Sequence, residues 1–251
     1  GLAQEVIYET LPFAQRRSLH SALGDVIERE RADELPAFCG VLLHHFERAQ
    51  DDLRTITYAS MSGDRAAAVF ASTQAVDYYG RALALLENME ENRAAERSLL
   101  LERIGDCLET AGRHRAATEA FEEALTQWRR REGTRAMRLL ATPTADQLRE
   151  AELSRRIGIS HERRSNFDEA LRWLDAASDV LPPRAGSVGA DLAASKSLTL
   201  FRRGEYPEAI VWGKRALERA RRAKDERAIA YAQNMLGNSY VAQGALKKAI
   251  A

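Results

Sequence analysis

Lysine is missing from the first three quarters of this chain; the first is Lys196. A phosphate-binding P-loop needs a lysine at the β/γ-phosphates behind a glycine-rich turn. No Gly-x-x-x-x-Gly-Lys-Ser/Thr string occurs, so these residues hold no such loop. Cysteine is scarce: Cys39 and Cys107, 68 positions apart, give neither a disulfide framework nor a metal spacing, which fits a reducing cytoplasm. Neither sign of charge is in excess, since 37 Lys+Arg balance 37 Asp+Glu. No overall field therefore draws the chain to nucleic acid or an anionic membrane. No window approaches the roughly 18 apolar residues that span a bilayer. The start, GLAQEVIYETLPF, lacks the basic end and apolar run of a signal peptide. Alternating strand patterns are absent too. Glycine (15) and proline (6) are sparse. Alanine, by contrast, supplies about a sixth of the 251 residues, a balance that favours long helices. The 45% of hydrophobic residues is enough to bury a core.

What the chain does have is self-similarity. RIGDCLETAGRHRAATEAFEEAL, RIGISHERRSNFDEALRWLDAA, SLTLFRRGEYPEAIVWGKRAL and MLGNSYVAQGALKKAI align on one small residue, and MSGDRAAAVFASTQAVDYYGRAL fits the same frame. The anchors are Gly63, Gly105, Gly158, Ser197 and Gly237. Twelve residues after each comes Ala75, Ala117, Ala170, Ala209 or Ala249, and seven further on Ala82, Ala124, Ala177 and Ala216. Nine alanines in nine columns have a chance probability on the order of ten to the minus seven at this alanine frequency. The physical reason is close helix packing: a Gly or Ser on one helix of a hairpin meets an Ala on the other. The second alanine lets the next hairpin stack.

These columns resemble the tetratricopeptide repeat, a helical hairpin of roughly 34 residues. Leu101, Ile104, Leu108 and Phe121 support the second unit, Leu236 and Tyr240 the fifth, and Pro182 the end of the third. Ser197 in place of glycine, Gly213 in place of an aromatic and His161 in place of a large apolar residue or tyrosine lead us to expect looser packing there. Anchors 42, 53, 39 and 40 residues apart imply connections longer than minimal, with an insertion at 133–147, where Gly133 and Pro143 punctuate and Thr144 offers a cap.

The pattern predicts helices over 66–89, 94–111, 114–132, 145–164, 167–181, 189–203, 206–223 and 226–243, with a stub from 245. Turns are expected at Gly112, Ser165-Asn166, Gly204 and Gly244. The expected fold is an all-α, right-handed tetratricopeptide-type helical-hairpin solenoid with an N-terminal helical cap. The cap takes 1–55, read as helices over 13–31 and 35–50 and a third from 51. Repeats take 56–251, at about 56–89, 98–131, 151–184, 190–223 and a truncated 230–251. Because Ala251 falls inside a second helix, a fragment of a longer polypeptide is expected.

The N-terminal strings VIYETLPFAQRRSLHSALGDVIE and LLHHFERAQDDLRTITYASMSGDRAAAVFASTQAVDYYGRALALL also resemble a known arrangement. It is the helical segment between a P-loop module and its tetratricopeptide array in large bacterial signalling ATPases, notably multidomain class III adenylate/guanylate cyclases and related AAA/STAND-type regulators. Tyr8, Leu11, Pro12, Arg16, Arg17, Leu19, His20, Glu28, His44, Ala49, Tyr58, Gly63 and Ala71 carry the likeness. It implies a sensor arm whose catalytic parts, if any, lie upstream.

No chemistry-bearing constellation emerges. His44 and His45 are adjacent, diverge by about 100 degrees on a helix and lack HExxH spacing, so packing is expected rather than metal. His20, His114 and His161 have no nucleophile partner in a motif. Cys107 reads as a small, partly buried side chain. The chain is therefore expected to be no enzyme, with no catalytic, cofactor or metal residues and no cofactor.

Arginines cluster at 129–131, 155–156, 163–164, 202–203 and 221–222. Residues 1–150 carry nineteen basic and twenty-five acidic residues, residues 151–251 eighteen and twelve. Solvated helix faces account for this, and so does a basic stretch of groove for an acidic peptide or an anion. The clusters lack the interleaved aromatics that stack RNA bases.

In tetratricopeptide arrays the first helices of successive hairpins line the concave face at positions two, five, nine, twelve and thirteen. Transferred here, these give Glu102, Asp106 and Glu109, then Arg155, Glu162 and Arg163, then Arg202, then Tyr231, Asn234 and Asn238. Asn234 and Asn238, four apart, are placed to clamp a peptide backbone. Trp173 and Trp212 share one column and read as repeat packing. The expected function is a non-catalytic protein- or peptide-interaction and regulatory module in the cytoplasm. Its partner is a protein or peptide in the groove, or an upstream domain of the same chain, with no membrane or nucleic acid. A stand-alone adaptor, or part of an ATP-dependent transcription regulator, is the alternative.

Overall fold

The computed structural model describes residues 10–89, 93–130, 143–182, 185–246 and 249. These residues form helices α1 (Phe13–Glu30), α2 (Leu35–Ala49), α3 (Asp52–Ala68), α4 (Ser72–Glu87) and α5 (Ala94–Thr110). Then come α6 (His114–Arg130), α7 (Pro143–Arg163), α8 (Phe167–Val180), α9 (Gly186–Arg203), α10 (Tyr206–Ala223) and α11 (Glu226–Ala242). A 3₁₀ turn spans Ala32–Glu34, and no strand occurs among the described residues. The fold is all-α and of the tetratricopeptide hairpin type. Packing divides it into two compact units, Gly1–Gly112 and Arg113–Ala251.

Local chemistry sets the helix ends. Asp51 and Asp225 cap α3 and α11, their Oδ1 atoms accepting the N–H of Arg54 and of Ala228 at 3.0 Å each. Pro36 and Pro207 sit in the first turns of α2 and α10, where a missing N–H costs nothing. All four expected turns adopt the left-handed conformation that ends a helix: Gly112, Ser165, Gly204 and Gly244 have φ of 73, 59, 90 and 79°.

The small-residue columns are the packing contacts. Ala75, Ala82, Ala117, Ala124, Ala170, Ala177 and Ala209 are fully buried, and Ala216 is 1% exposed. A Cβ on Gly63 would fall 2.6 and 2.8 Å from Cδ1 and Cζ of buried Tyr79; one on Gly158 would lie 2.9 Å from Leu174 Cγ and 3.1 Å from the Ala170 carbonyl oxygen. In unit 1, Cys39, Leu42, Phe46, Tyr58, Tyr79, Leu86 and Leu100 make one core. In unit 2, Ala151, Leu174, Ala177 and Leu192 pack together, as do Ala193, Ala194, Ala216 and Ala232.

Three expectations need correction. The helix expected over 66–89 is two helices, because α3 ends at Ala68 and Phe70 takes a φ of 58° before α4 begins. No glycine or proline marks this turn; the N–H groups of Val69, Phe70 and Ala71 close it on the carbonyls of Ala66 and Ala67. The helices expected over 13–31 and 35–50 are present as α1 and α2, which pack as a hairpin where Gly24 leaves room for the Phe46 ring. Helix α7 already starts at Pro143, so Thr144 is inside it; residues 133–142 of the expected insertion, and Ala251, lie outside the described residues. Two of the three pattern departures, Ser197 and Gly213, are compensated. Ser197 Oγ donates to the Ala209 carbonyl at 2.8 Å, and the room above Gly213 is filled by Leu236, 2.9 Å from where a Cβ would sit. Restoring the pattern's aromatic with Gly213→Phe should therefore cost about 1–3 kcal/mol of stability, read as a lower midpoint in urea denaturation.

Candidate functional site

In unit 2 the first helices of three hairpins, α7, α9 and α11, lie side by side. Between them opens a cavity of about 1150 Å³. Six of the ten expected groove residues line it: Arg155, Glu162 and Arg163 from α7, Arg202 from α9, and Tyr231 and Asn234 from α11. His114 at the start of α6 reaches the same space. The helical repeat explains the convergence. Positions three and four apart share a face, so 155, 159 and 162 of α7 oppose 191, 195, 198 and 202 of α9.

Charge in the cavity is largely paired. Arg155 holds Glu152 through Nε and Nη2 at 2.9 and 2.7 Å, and its Nη1 reaches Ser195 Oγ at 3.3 Å. Burial pushes the Arg155 pKa down, but the hydrogen bonds and charge of Glu152 outweigh it and raise it. Glu152 is the mirror case: burial pushes its carboxyl up and the two arginines hold it below the usual carboxylate range. Arg156 Nε also bonds Glu152, at 3.2 Å. Glu162, its side chain only 4% exposed, meets half-exposed Arg202 at 2.6 Å. Tyr231, 44% exposed, has its pKa raised by burial and then by Glu162. Asp191 is pushed up by burial and by the neighbouring Glu152 and Asp225, against the pull of Arg155 and Arg227.

The other four expected residues are elsewhere or otherwise engaged. Glu102, Asp106 and Glu109 lie on α5 in unit 1, Glu102 being buried. Asn238 does not line the cavity. Its Nδ2 donates to Asn234 Oδ1 at 2.9 Å, so the two amides use part of their capacity on each other rather than clamping together. Asp191, Ser195, Leu198, Thr199, Ile159 and Arg227 line the cavity without having been singled out. Asp191 and Leu198 are positions two and nine of the 190–223 frame, and Ile159 is position nine of the frame before, so the same spacing rule reaches them.

Trp212 stacks against cations, with Lys196 Nζ 3.9 Å and the Arg215 guanidinium 4.6 Å from its ring centroid, and is partly buried in the repeat core. His44 and His45 gain a third ring: His20 and His45 Nδ1 atoms are 2.9 Å apart, and the three ring centroids lie 5.1 to 5.7 Å from one another. Among the described residues no group of three His, Cys, Asp or Glu is arranged to hold a metal ion, and no helix is long and apolar enough to cross a membrane.

The fold is of the tetratricopeptide-repeat type. The family model described as tetratricopeptide repeat matches residues 190–223, which carry α9 and α10. No curated protein matches the chain. Among solved structures it is similar to the apo form of RapI, with a TM-score of 0.70, 12% identity, and coverage of 99% of this chain and 66% of that one. It is similar also to BtubC (BKLC) from P. vanneervenii, with a TM-score of 0.63, 14% identity, and coverage of 96% and 87%. A third likeness is to the Rap conjugation gene regulator of the plasmid pLS20 in complex with the Phr* peptide, at a TM-score of 0.57, 17% identity and coverage of 80% and 52%.

Proposed function

We propose that the chain is a non-catalytic interaction and regulatory module that takes a peptide or an extended protein segment in the cavity of unit 2. The observation that carries this is the cavity itself. It is polar, open along three successive first helices, and offers donors at Arg163, Arg202, Tyr231 and Asn234 around an apolar floor of Ile159 and Leu198. A structurally similar Rap regulator is seen with a Phr* peptide, which supports the same use here. The N-terminal resemblance supports placing the module as the sensor arm of a multidomain signalling ATPase or nucleotide cyclase, in the cytoplasm. A ligand that prefers one arrangement of the hairpins shifts their equilibrium, and an attached nucleotide switch feels that shift.

Selection of random dodecapeptides on the immobilised chain tests the reading. Enriched peptides should bind the purified chain, and Tyr231→Ala or Asn234→Ala should weaken them about tenfold. Enrichment of nothing, or affinities unchanged in both variants, counts against the cavity as the site.

A further inference from the structure

We infer that the occupant of the unit 2 cavity is an acidic peptide with an apolar residue between its carboxylates, an inference that rests on the groove reading above. Five guanidiniums line the cavity, from Arg155, Arg156, Arg163, Arg202 and Arg227, against three carboxylates, from Glu162, Asp191 and Asp225. Internal bonds engage most of them. Arg155 and Arg156 are tied to Glu152, Arg202 to Glu162, and the Asp225 carboxylate caps α11. Two cations and one acid are left.

Arg163, exposed at the end of α7, has no hydrogen bond or ion pair among the described residues. Arg227, exposed in the first turn of α11, has no hydrogen bond there either, and Asp191 is its electrostatic neighbour. Burial and the nearby Glu152 and Asp225 disfavour the Asp191 charge. The site thus presents two forked donors whose natural complement is a carboxylate, and one acid poorly placed to satisfy them.

Size and lining exclude a lone small anion. The eleven residue steps from Asp191 to Arg202 span about 16 Å of helix axis, the reach of about five residues of extended peptide. Between the two ends lie Ile159, Leu198 and half-exposed Tyr231, a surface that an apolar side chain covers. A single exposed aromatic gives no ladder for stacked bases, so nucleic acid fits poorly.

The experiment reads the charge of what the immobilised chain selects, and then its dependence on the two cations. Peptides enriched from the random library should be net acidic relative to the input. Arg163→Ala and Arg227→Ala should each weaken them about five- to tenfold, and added salt should weaken them as well. Arg172→Ala, an exposed arginine of α8 outside the cavity, should leave them unchanged. Enriched peptides that lose affinity in Tyr231→Ala or Asn234→Ala but are neutral or basic, or that ignore both arginine substitutions, overturn this inference and leave the groove reading standing. No enrichment overturns both.

Discussion

Alanine at Gly63 is expected to destabilise unit 1, while the same substitution at Gly80, one helix on, is expected to stabilise it. At Gly63 the new methyl would sit inside contact distance of three atoms of the Tyr79 ring. That ring cannot swing aside: it is 2% exposed, and its hydroxyl donates to Asp64 Oδ1 at 2.7 Å. Relief requires α3 and α4 to separate, which opens the core around Ala75 and Ala82, at a cost of about 1–3 kcal/mol. Gly80 lies within α4 with nothing within 4 Å of its would-be Cβ. There alanine only removes backbone freedom from the unfolded chain, a gain of about 0.5–1 kcal/mol. Urea midpoints of the two variants should move in opposite directions from the parent. Equal shifts would mean that the anchor column does not set the helix approach.

The contrast explains why the fold was legible in the sequence. Close approach of two helices can be met only by Gly, Ala or Ser, so it leaves a periodic trace, and every alanine column but the last proved buried to 1% or less. The turn at Val69, Phe70 and Ala71 left no trace. Its left-handed residue is a phenylalanine, and backbone hydrogen bonds alone close it. The α1 and α2 hairpin was obscured for a related reason. Its small residue, Gly24, faces an aromatic ring rather than an alanine, so it stands outside the column arithmetic.

The groove was half legible. Helical spacing places a side chain on a face, and on that ground Arg155, Glu162, Arg163, Arg202, Tyr231 and Asn234 come together as expected. Spacing does not say which polar groups are already satisfied. Asn238 bonds its neighbour Asn234, Glu162 is held by Arg202, and Arg155 is held by Glu152 one turn away. Nor does a frame beginning at residue 230 reach Arg227, which lines the cavity from the first turn of the same helix.

Acidification is expected to loosen the α1–α2 hairpin before the rest of unit 1. His20, 8% exposed, and His45 bring their Nδ1 atoms to 2.9 Å, so one ring must donate and the other accept, and a proton on both is excluded. Burial, then His45, His44 and Arg48, hold the His20 pKa below its ordinary value of 6.5; burial and then His44 do the same to His45. The unfolded chain then binds more protons than the folded one as pH drops below 6.5. Stability, full above that pH, is lost as pH falls through the lowered folded values. Asp51 does not share this window. At Asp51 burial pushes the carboxyl up, but the bonds and charge of Arg54 outweigh it and keep it below its usual range, so its contribution fails only at lower pH. Burial also lowers His161 in unit 2, which is why the measurement must resolve segments. Hydrogen exchange of the peptides covering α1 and α2, corrected for intrinsic rates, should show protection falling as pH drops below 6.5. His20→Phe keeps a ring in the interface but removes one titrating group, so it should flatten that fall. An undiminished fall in the variant would show that His20 does not carry the acid sensitivity and would move it to His45, whose pKa burial and then His44 lower without help from His20.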